Sequence, residues 1–209
     1  MKIRVGTDSS YIRILNAIPN SDEVDIYVNG NLIFSDIRYK EFSSYTPTAP
    51  GNYDIEIYKA GNRDELLHSH NLTIAGGNAG TLVITGLVPK LMILAVYENP
   101  SEQVEPGNSK FRIAHLSPTT SPVDITVNTV KMIEEIPFGK RTNYAEVPTG
   151  IYDFLIRENE FDRINQSEEL NIINKVEIKN GKIYTIYIVG DLPNVEIIQS
   201  LDLTTYMNN

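Results

Sequence analysis

Two arginine–aspartate pairs with the same spacing are the first candidates for a binding or framework role in this sequence. Arg13 precedes Asp25 by twelve residues, and Arg112 precedes Asp124 by the same interval. A guanidinium beside a carboxylate can bind a charged ligand, or it can serve the framework as an ion pair across adjacent strands. Because the pair occurs twice, we predict the framework role. In that role, loss of Arg112 leaves a carboxylate without its cationic partner.

Three short segments carry groups of the kinds that bind metals or phosphate. His68 and His70 lie on one face of a predicted strand, a geometry that can hold a transition metal, although a solvated strand face is the favoured interpretation. The oxygen-rich loop 20–23 could hold calcium, and its default interpretation is a plain turn. The glycine-rich segment 76–80 precedes a strand and lacks the Gly-Lys-Ser/Thr of a phosphate loop. We therefore predict no catalytic, cofactor-binding or metal-ligating residue.

Tyrosine is abundant, with twelve tyrosines and six phenylalanines but no tryptophan. Four of the tyrosines fall on predicted outward or loop positions and are the candidate surface aromatics: Tyr27, Tyr39, Tyr58 and Tyr97. Aromatic rings on a β-surface stack on sugars or pack against a neighbouring molecule. The alternative is a set of tyrosines scattered over an ordinary sandwich.

Charge and cysteine content narrow the classes of partner. The 209 residues include 18 basic and 27 acidic side chains, a net charge of −9, which disfavours binding to nucleic acid or an anionic membrane. The absence of cysteine removes disulfides, thiolate zinc sites and thiol nucleophiles. No stretch approaches the roughly 18 apolar residues of a membrane span, so we expect no membrane insertion. The first residues lack the apolar run of a signal peptide, which indicates synthesis without Sec export or a trimmed leader.

The elements that must position these residues form a repeat. With an offset of 99, residues 12–57 align with residues 111–156 without a gap, and 14 of the 46 positions are identical. Farther on the register slips by five, which predicts about five extra residues within Arg157–Lys182. We therefore divide the chain into four parts: an N-terminal extension (1–10), a first repeat (11–98), a linker (99–109) and a second repeat (110–209).

Apolar residues alternate with polar ones in each repeat, as in residues 24–28, which predicts half-buried strands. Asn29-Gly30 supplies the positive φ of a tight hairpin turn, and Lys179–Lys182 is a second hairpin signal before the strand Ile183–Val189. Only Glu160–Lys175 has a helical pattern, and it is weak. We predict an all-β fold of two tandem antiparallel β-sandwich domains, immunoglobulin-like or transthyretin-like.

Two pairs of tyrosines recur at equivalent positions of the repeats: Tyr45 with Tyr144, and Tyr53 with Tyr152. The second pair follows a proline–glycine turn in each copy. We expect all four to bury their rings and to donate their hydroxyls to nearby backbone, as corner tyrosines do in sandwich folds.

The repeated motifs resemble a bacterial family known as domain of unknown function 4397. The motifs that carry the resemblance are Arg13–Pro19 and Arg112–Pro118, Val24–Gly30, Tyr39–Tyr45, Val147–Tyr152, and Tyr184–Gly190 followed by Pro193. The resemblance covers nearly the whole chain apart from residues 1–10 and the linker. It implies a sandwich module, often in tandem and usually in envelope or surface proteins, with no established activity.

The copies depart from the family pattern at three positions: Asn16 where histidine is favoured, Thr129 where a hairpin glycine is expected, and Pro50 where the proline order is altered. These departures argue against chemistry shared by the two copies. We therefore predict that the isolated His115 is a framework or semi-exposed histidine rather than a catalytic base.

From these features we predict a non-enzymatic structural or adhesive protein of a bacterial surface layer, at the cell envelope or the spore exterior. Its expected partners are proteins, or further copies of itself, joined through exposed sheet edges. The alternative is a carbohydrate-binding module that uses the exposed tyrosines to bind a glycan. A hydrolase built from scattered carboxylates is a third interpretation, and no cofactor is expected.

Overall fold

The computed structural model describes residues 9–158 and 171–207 of the chain. Its internal contacts divide the chain into two units, one extending to Glu102 and the other spanning Gln103–Thr205. Two tandem copies are therefore confirmed, whereas the domain boundaries 11–98 and 110–209 stay predictions.

Within the described residues, each unit contains eight strands. Those of the first domain are β1 (Ser10–Asn16), β2 (Val24–Val28), β3 (Asn31–Ile37), β4 (Thr46–Thr48), β5 (Gly51–Lys59), β6 (Asn62–Ile74), β7 (Ala79–Leu87) and β8 (Lys90–Tyr97). Those of the second are β9 (Asn108–His115), β10 (Val123–Val127), β11 (Val130–Ile136), β12 (Ala145–Pro148), β13 (Gly150–Glu158), β14 (Asn171–Ile178), β15 (Ile183–Val189) and β16 (Glu196–Leu201).

A single turn of helix, α1 (Thr204–Met207), follows the last strand. No helix in the described ranges has the length and apolar character that crossing a bilayer requires. Most of the weak helical pattern at Glu160–Lys175, residues 160–170, lies outside the described residues. Its last five positions belong to strand β14, so the weak pattern does not form a helix there.

Each domain is a sandwich of two four-stranded sheets, and the predicted all-β sandwich fold is confirmed. The strand orders are β4-β1-β7-β8 and β3-β2-β5-β6 in the first domain, and β12-β9-β15-β16 and β11-β10-β13-β14 in the second. Neighbouring strands are antiparallel except for β1 with β7 and β9 with β15, which are parallel. A parallel neighbour needs a long crossover connection, and here the strands of the other sheet provide it.

The core of each domain lies between its two sheets and consists of the inward residues of the period-two pattern. Ile26 on β2, Ile57 on β5 and Ile84 on β7 are fully buried in the first domain. Burial of one such side chain contributes about 1.5–3 kcal/mol, so the pattern determines which face of each strand turns inward. The intervening residues face outward, where further segments of chain can cover them.

The turns match the prediction at one place and differ at another. Asn29 and Gly30 have positive φ values of 50° and 77° and connect β2 to β3 tightly. In the second copy the β-branched Thr129 adopts a φ of 118°, a conformation that glycine tolerates better. Gly181 also has a positive φ of 68°, but its turn links β14 to β15 in different sheets, so it is not a hairpin.

Candidate functional site

Arg13 projects from the outer face of β1 but is buried. Its guanidinium carbon lies 4.5 Å from the ring centroids of both Phe42 and Tyr45, on the segment between β3 and β4. Its Nε donates to the Thr81 hydroxyl at 2.9 Å. The Tyr45 hydroxyl donates in turn to Oε1 of the buried Glu98 at 2.5 Å. We call these five residues the first arginine cluster.

Arg112 builds the second arginine cluster with Tyr144, Thr185 and Asp202. The guanidinium lies over the Tyr144 ring at 4.6 Å, and its Nε donates to the Thr185 hydroxyl at 2.9 Å. Its Nη2 lies 3.5 Å from Asp202 Oδ2, which also accepts the Tyr144 hydroxyl. Thr185 donates to the other oxygen of Asp202 at 2.7 Å. Arg112 and Asp202 are only 3% and 1% exposed, so the pair is shielded from water.

Apart from Phe42, which corresponds to Arg141, the residues of the first cluster have equivalents in the second. Thr81 and Thr185, like Glu98 and Asp202, are related by an offset of 104, the register beyond the slip. Neither acidic residue was predicted as a partner, because each lies more than 80 positions from its arginine. Extending the offset of 104 to the end of each copy would have identified Glu98 and Asp202 as equivalent residues.

The predicted Arg13–Asp25 and Arg112–Asp124 pairs across adjacent strands are wrong. The arginines lie on β1 and β9, whereas the aspartates lie on β2 and β10, in the other sheet of each domain. Sequence spacing cannot distinguish a neighbouring strand from one that crosses to the opposite sheet.

Each aspartate instead stabilises an irregular backbone. Asp25 accepts the N–H of Asp36 at 3.0 Å and the N–H of Gly61 at 2.9 Å. Asp124 accepts the N–H of Glu135 at 3.0 Å. Asp36 and Glu135 both have positive φ, beside the places where the β2–β3 and β10–β11 registers shift. The aspartate carboxylates thus support β-bulges, and their geometry favours a framework role.

His115 is buried and bonded at both ring nitrogens. Nδ1 lies 2.9 Å from the Ile136 carbonyl oxygen, so it carries the proton, and Nε2 accepts the Thr120 hydroxyl at 2.6 Å. Burial lowers the pKa of His115 to about 4. Asn16, its counterpart in the first domain, donates to the equivalent carbonyl of Ile37 at 3.1 Å. Asn16 and His115 therefore bond equivalent backbone carbonyls, which agrees with the framework role predicted for His115.

The histidines of β6 and the loop 20–23 were the other candidate ligand groups. His68 and His70 lie on one face of β6 with ring centroids 6.2 Å apart, as the alternation predicts. Burial and the neighbouring His70 lower the pKa of His68. Within the described ranges, no group of three or more His, Asp or Glu side chains could hold a metal ion. In the loop 20–23, Asp22 pairs with Lys59 at 2.7 Å, which lowers the pKa of Asp22.

The four candidate surface tyrosines have different environments. Tyr58 is only 8% exposed because the Tyr27 ring and the Arg63 guanidinium lie against its ring, so its prediction as a surface aromatic is wrong. Its ring packs edge to face on half-buried Tyr27 at 5.3 Å. Tyr97 packs against the core of the first domain, and burial raises the pKa of its hydroxyl. Tyr39 lines an open polar cleft with charged side chains. The four rings therefore do not form one surface row.

The hydroxyl bonds predicted for the corner tyrosines are confirmed for one pair only, and the side chains of that pair are half-buried. The hydroxyls of Tyr53 and Tyr152 donate at 2.6 Å to the backbone carbonyls of Ala49 and Pro148. The hydroxyls of the other pair donate to the carboxylates of the arginine clusters rather than to backbone.

These features define a tandem β-sandwich protein whose repeated polar side chains are buried in framework clusters. The model of a family described as domain of unknown function (DUF4397) matches residues 10–126 and 109–208. The chain belongs to this family and contains two copies of its domain. No curated protein sequence matches the chain.

Three solved structures show weak similarity. A streptococcal virulence factor with alpha-glucan binding is 13% identical over 95% of this chain and 97% of that chain, with a TM-score of 0.26. The Bacillus anthracis TIE protein is 12% identical over 88% of this chain and 34% of that chain, with a TM-score of 0.25. The CBM26-family module CBMbc of Eubacterium rectale Amy13K, solved with maltoheptaose, is 10% identical over 94% and 99%, with a TM-score of 0.26. Similarity at this level carries no functional argument for this chain.

Proposed function

We propose that this chain is a non-enzymatic structural or adhesive protein of a bacterial surface layer, at the cell envelope or the spore exterior. The observation that carries the proposal is the burial of its chemically capable side chains. The two arginine clusters and His115 are bonded inside the framework, where a substrate would have to displace existing partners. Side chains held in this way stabilise a shape instead of turning over a substrate.

The edges of the sheets supply the surface for assembly. β3 and β11 are terminal strands of their sheets among the described residues. Each exposes an apolar side chain at the same repeat position: Ile33 is 48% exposed and Met132 is 44% exposed. A terminal strand with free backbone groups and apolar side chains is a template for pairing with another chain. Association of copies or partners through these two edges would build a layer.

Cell fractionation with edge variants tests the proposal. Cells and spores of the native host are separated into cytosolic, membrane, wall and spore-exterior fractions, and the chain is detected with a specific antibody. We expect the wild type in the wall or spore-exterior fraction, and we expect the double variant Ile33→Lys/Met132→Lys to move to a soluble fraction.

Ile151→Lys is the matched control for this experiment. Ile151 is 67% exposed but lies on β13, which already has a neighbour on each side. Its replacement should leave the distribution unchanged. A wild-type chain found only in the cytosolic fraction would contradict the surface role, and equal release of both variants would contradict the edge contacts.

The open cleft beside Tyr39 supports carbohydrate binding as a second candidate function. Asp22, Glu23, Arg38 and Lys59 line the cleft together with the aromatic ring. Aromatic stacking combined with charged hydrogen-bonding groups is an arrangement that suits a sugar.

A glycan array followed by titration tests this candidate. We expect binding in the millimolar range that falls at least tenfold in Tyr39→Ala, because the stacking surface is lost. Tyr206→Ala removes an exposed tyrosine outside the cleft and should bind normally. Absence of binding to every glycan at millimolar concentration would eliminate the candidate.

A further inference from the structure

An apolar cavity of about 210 Å³ lies between the two sheets of the first domain. The buried side chains of Ile12 on β1 and Ile55 on β5 form part of its wall. Ile33 on β3 and Thr46 and Thr48 on β4 also line it, and these three are exposed or half-buried. The cavity therefore opens to solvent between two terminal strands.

The second domain places larger side chains at the equivalent positions. With the offset of 99, Ile12 corresponds to Phe111 and Ile55 corresponds to Phe154. Both phenylalanines are fully buried, and their rings pack edge to face with centroids 5.2 Å apart. Protein cores are close-packed, and an empty cavity costs stability in proportion to its volume. Because the same framework buries two phenyl rings at these positions in the second domain, the smaller isoleucines of the first domain are not a requirement of the fold.

The geometry points to a ligand site: the first domain binds a small aromatic group in the space where phenylalanine rings pack in the second. Apolar cavities of about 150 Å³ take up benzene, so this volume accepts one ring. The Thr48 hydroxyl donates to the Thr46 carbonyl at 3.0 Å, and its oxygen can still accept a hydrogen bond at the opening. The expected ligand is therefore a phenyl group with a hydrogen-bond donor at its outer end. The ligand site does not rest on the proposed surface role, although Ile33 takes part in both.

Methyl NMR of the full chain tests the site directly, with toluene and benzyl alcohol as probes. Isoleucine methyl groups are labelled, and each probe is titrated to its solubility limit. We expect saturable shifts of the Ile12 and Ile55 signals, because these side chains form the wall. The signals of Ile125 and Ile156 in the second core should stay unchanged. Absence of saturable shifts with both probes would overturn the proposal.

The variant Ile12→Phe copies the residue of the second domain into the cavity. We expect it to weaken toluene binding at least tenfold, since its ring occupies the site. Ile151→Phe, which adds a phenyl ring on the exposed surface of the second domain, is the matched control and should bind like wild type. Unchanged toluene affinity in Ile12→Phe would place binding elsewhere and overturn the proposal. If Ile12→Phe fails to fold, the presence or absence of saturable methyl shifts in the wild-type chain still tests the site.

Discussion

Replacing Arg112 by alanine is expected to lower the free energy of unfolding of the second domain by about 3–5 kcal/mol, because removing one member of a buried ion pair leaves the other charge uncompensated. The carboxylate left without a cation is that of Asp202, which is 1% exposed and cannot regain water without opening the domain. The Tyr144 and Thr185 hydroxyls would still donate to it, but they supply no positive charge.

Urea unfolding of the full chain, followed by hydrogen-exchange mass spectrometry, measures this loss for each domain separately. Lys131→Ala is the matched control, because it removes a half-exposed cation that pairs with both Asp124 and Glu134. Water screens such a cation, so its effect should be small. A double variant, Arg112→Met/Asp202→Leu, should lose less stability than Arg112→Ala, since no charge is stranded. An unchanged unfolding midpoint in Arg112→Ala would show that the second arginine cluster does not stabilise the domain.

The second large effect is a pH dependence that originates at His115. Burial lowers the pKa of His115 in the folded chain to about 4, against 6.5 for an ordinary histidine. Between these values the unfolded chain binds a proton that the folded chain does not, so stability rises with pH. The contribution is fully present above pH 6.5 and is lost as the pH falls toward 4. A difference of this size corresponds to about 3 kcal/mol.

The variant His115→Asn isolates this contribution, because the first domain already uses Asn16 at the equivalent position. We expect the unfolding free energy of the wild-type second domain to fall more steeply between pH 7 and pH 4 than that of the variant. Urea unfolding at several pH values measures the two slopes. The reciprocal variant, Asn16→His, should give the first domain a similar dependence. Equal slopes for wild type and His115→Asn would contradict a neutral buried imidazole.

Local patterns in the sequence predicted the parts of the structure that depend on neighbouring residues. The period-two alternation in residues 24–28 identified a strand and its buried face, since one face of a strand must exclude water. The Asn29-Gly30 turn was predictable because few residues tolerate positive φ. The constant offset between copies identified the duplication, and it also relates His115 to Asn16.

The contacts of the polar and aromatic side chains could be read only from the folded structure. Arg112 pairs with Asp202, 90 positions away, rather than with Asp124. Tyr58 is covered by Tyr27 and Arg63, which lie on other strands. The cavity of the first domain depends on Ile55, which corresponds to a phenylalanine in the second. The alternation of apolar and polar residues predicts which face of a strand turns inward. It does not predict which strands become neighbours or how fully side chains fill the space between sheets. Those outcomes depend on the order of strands and on the packing of residues far apart in the chain.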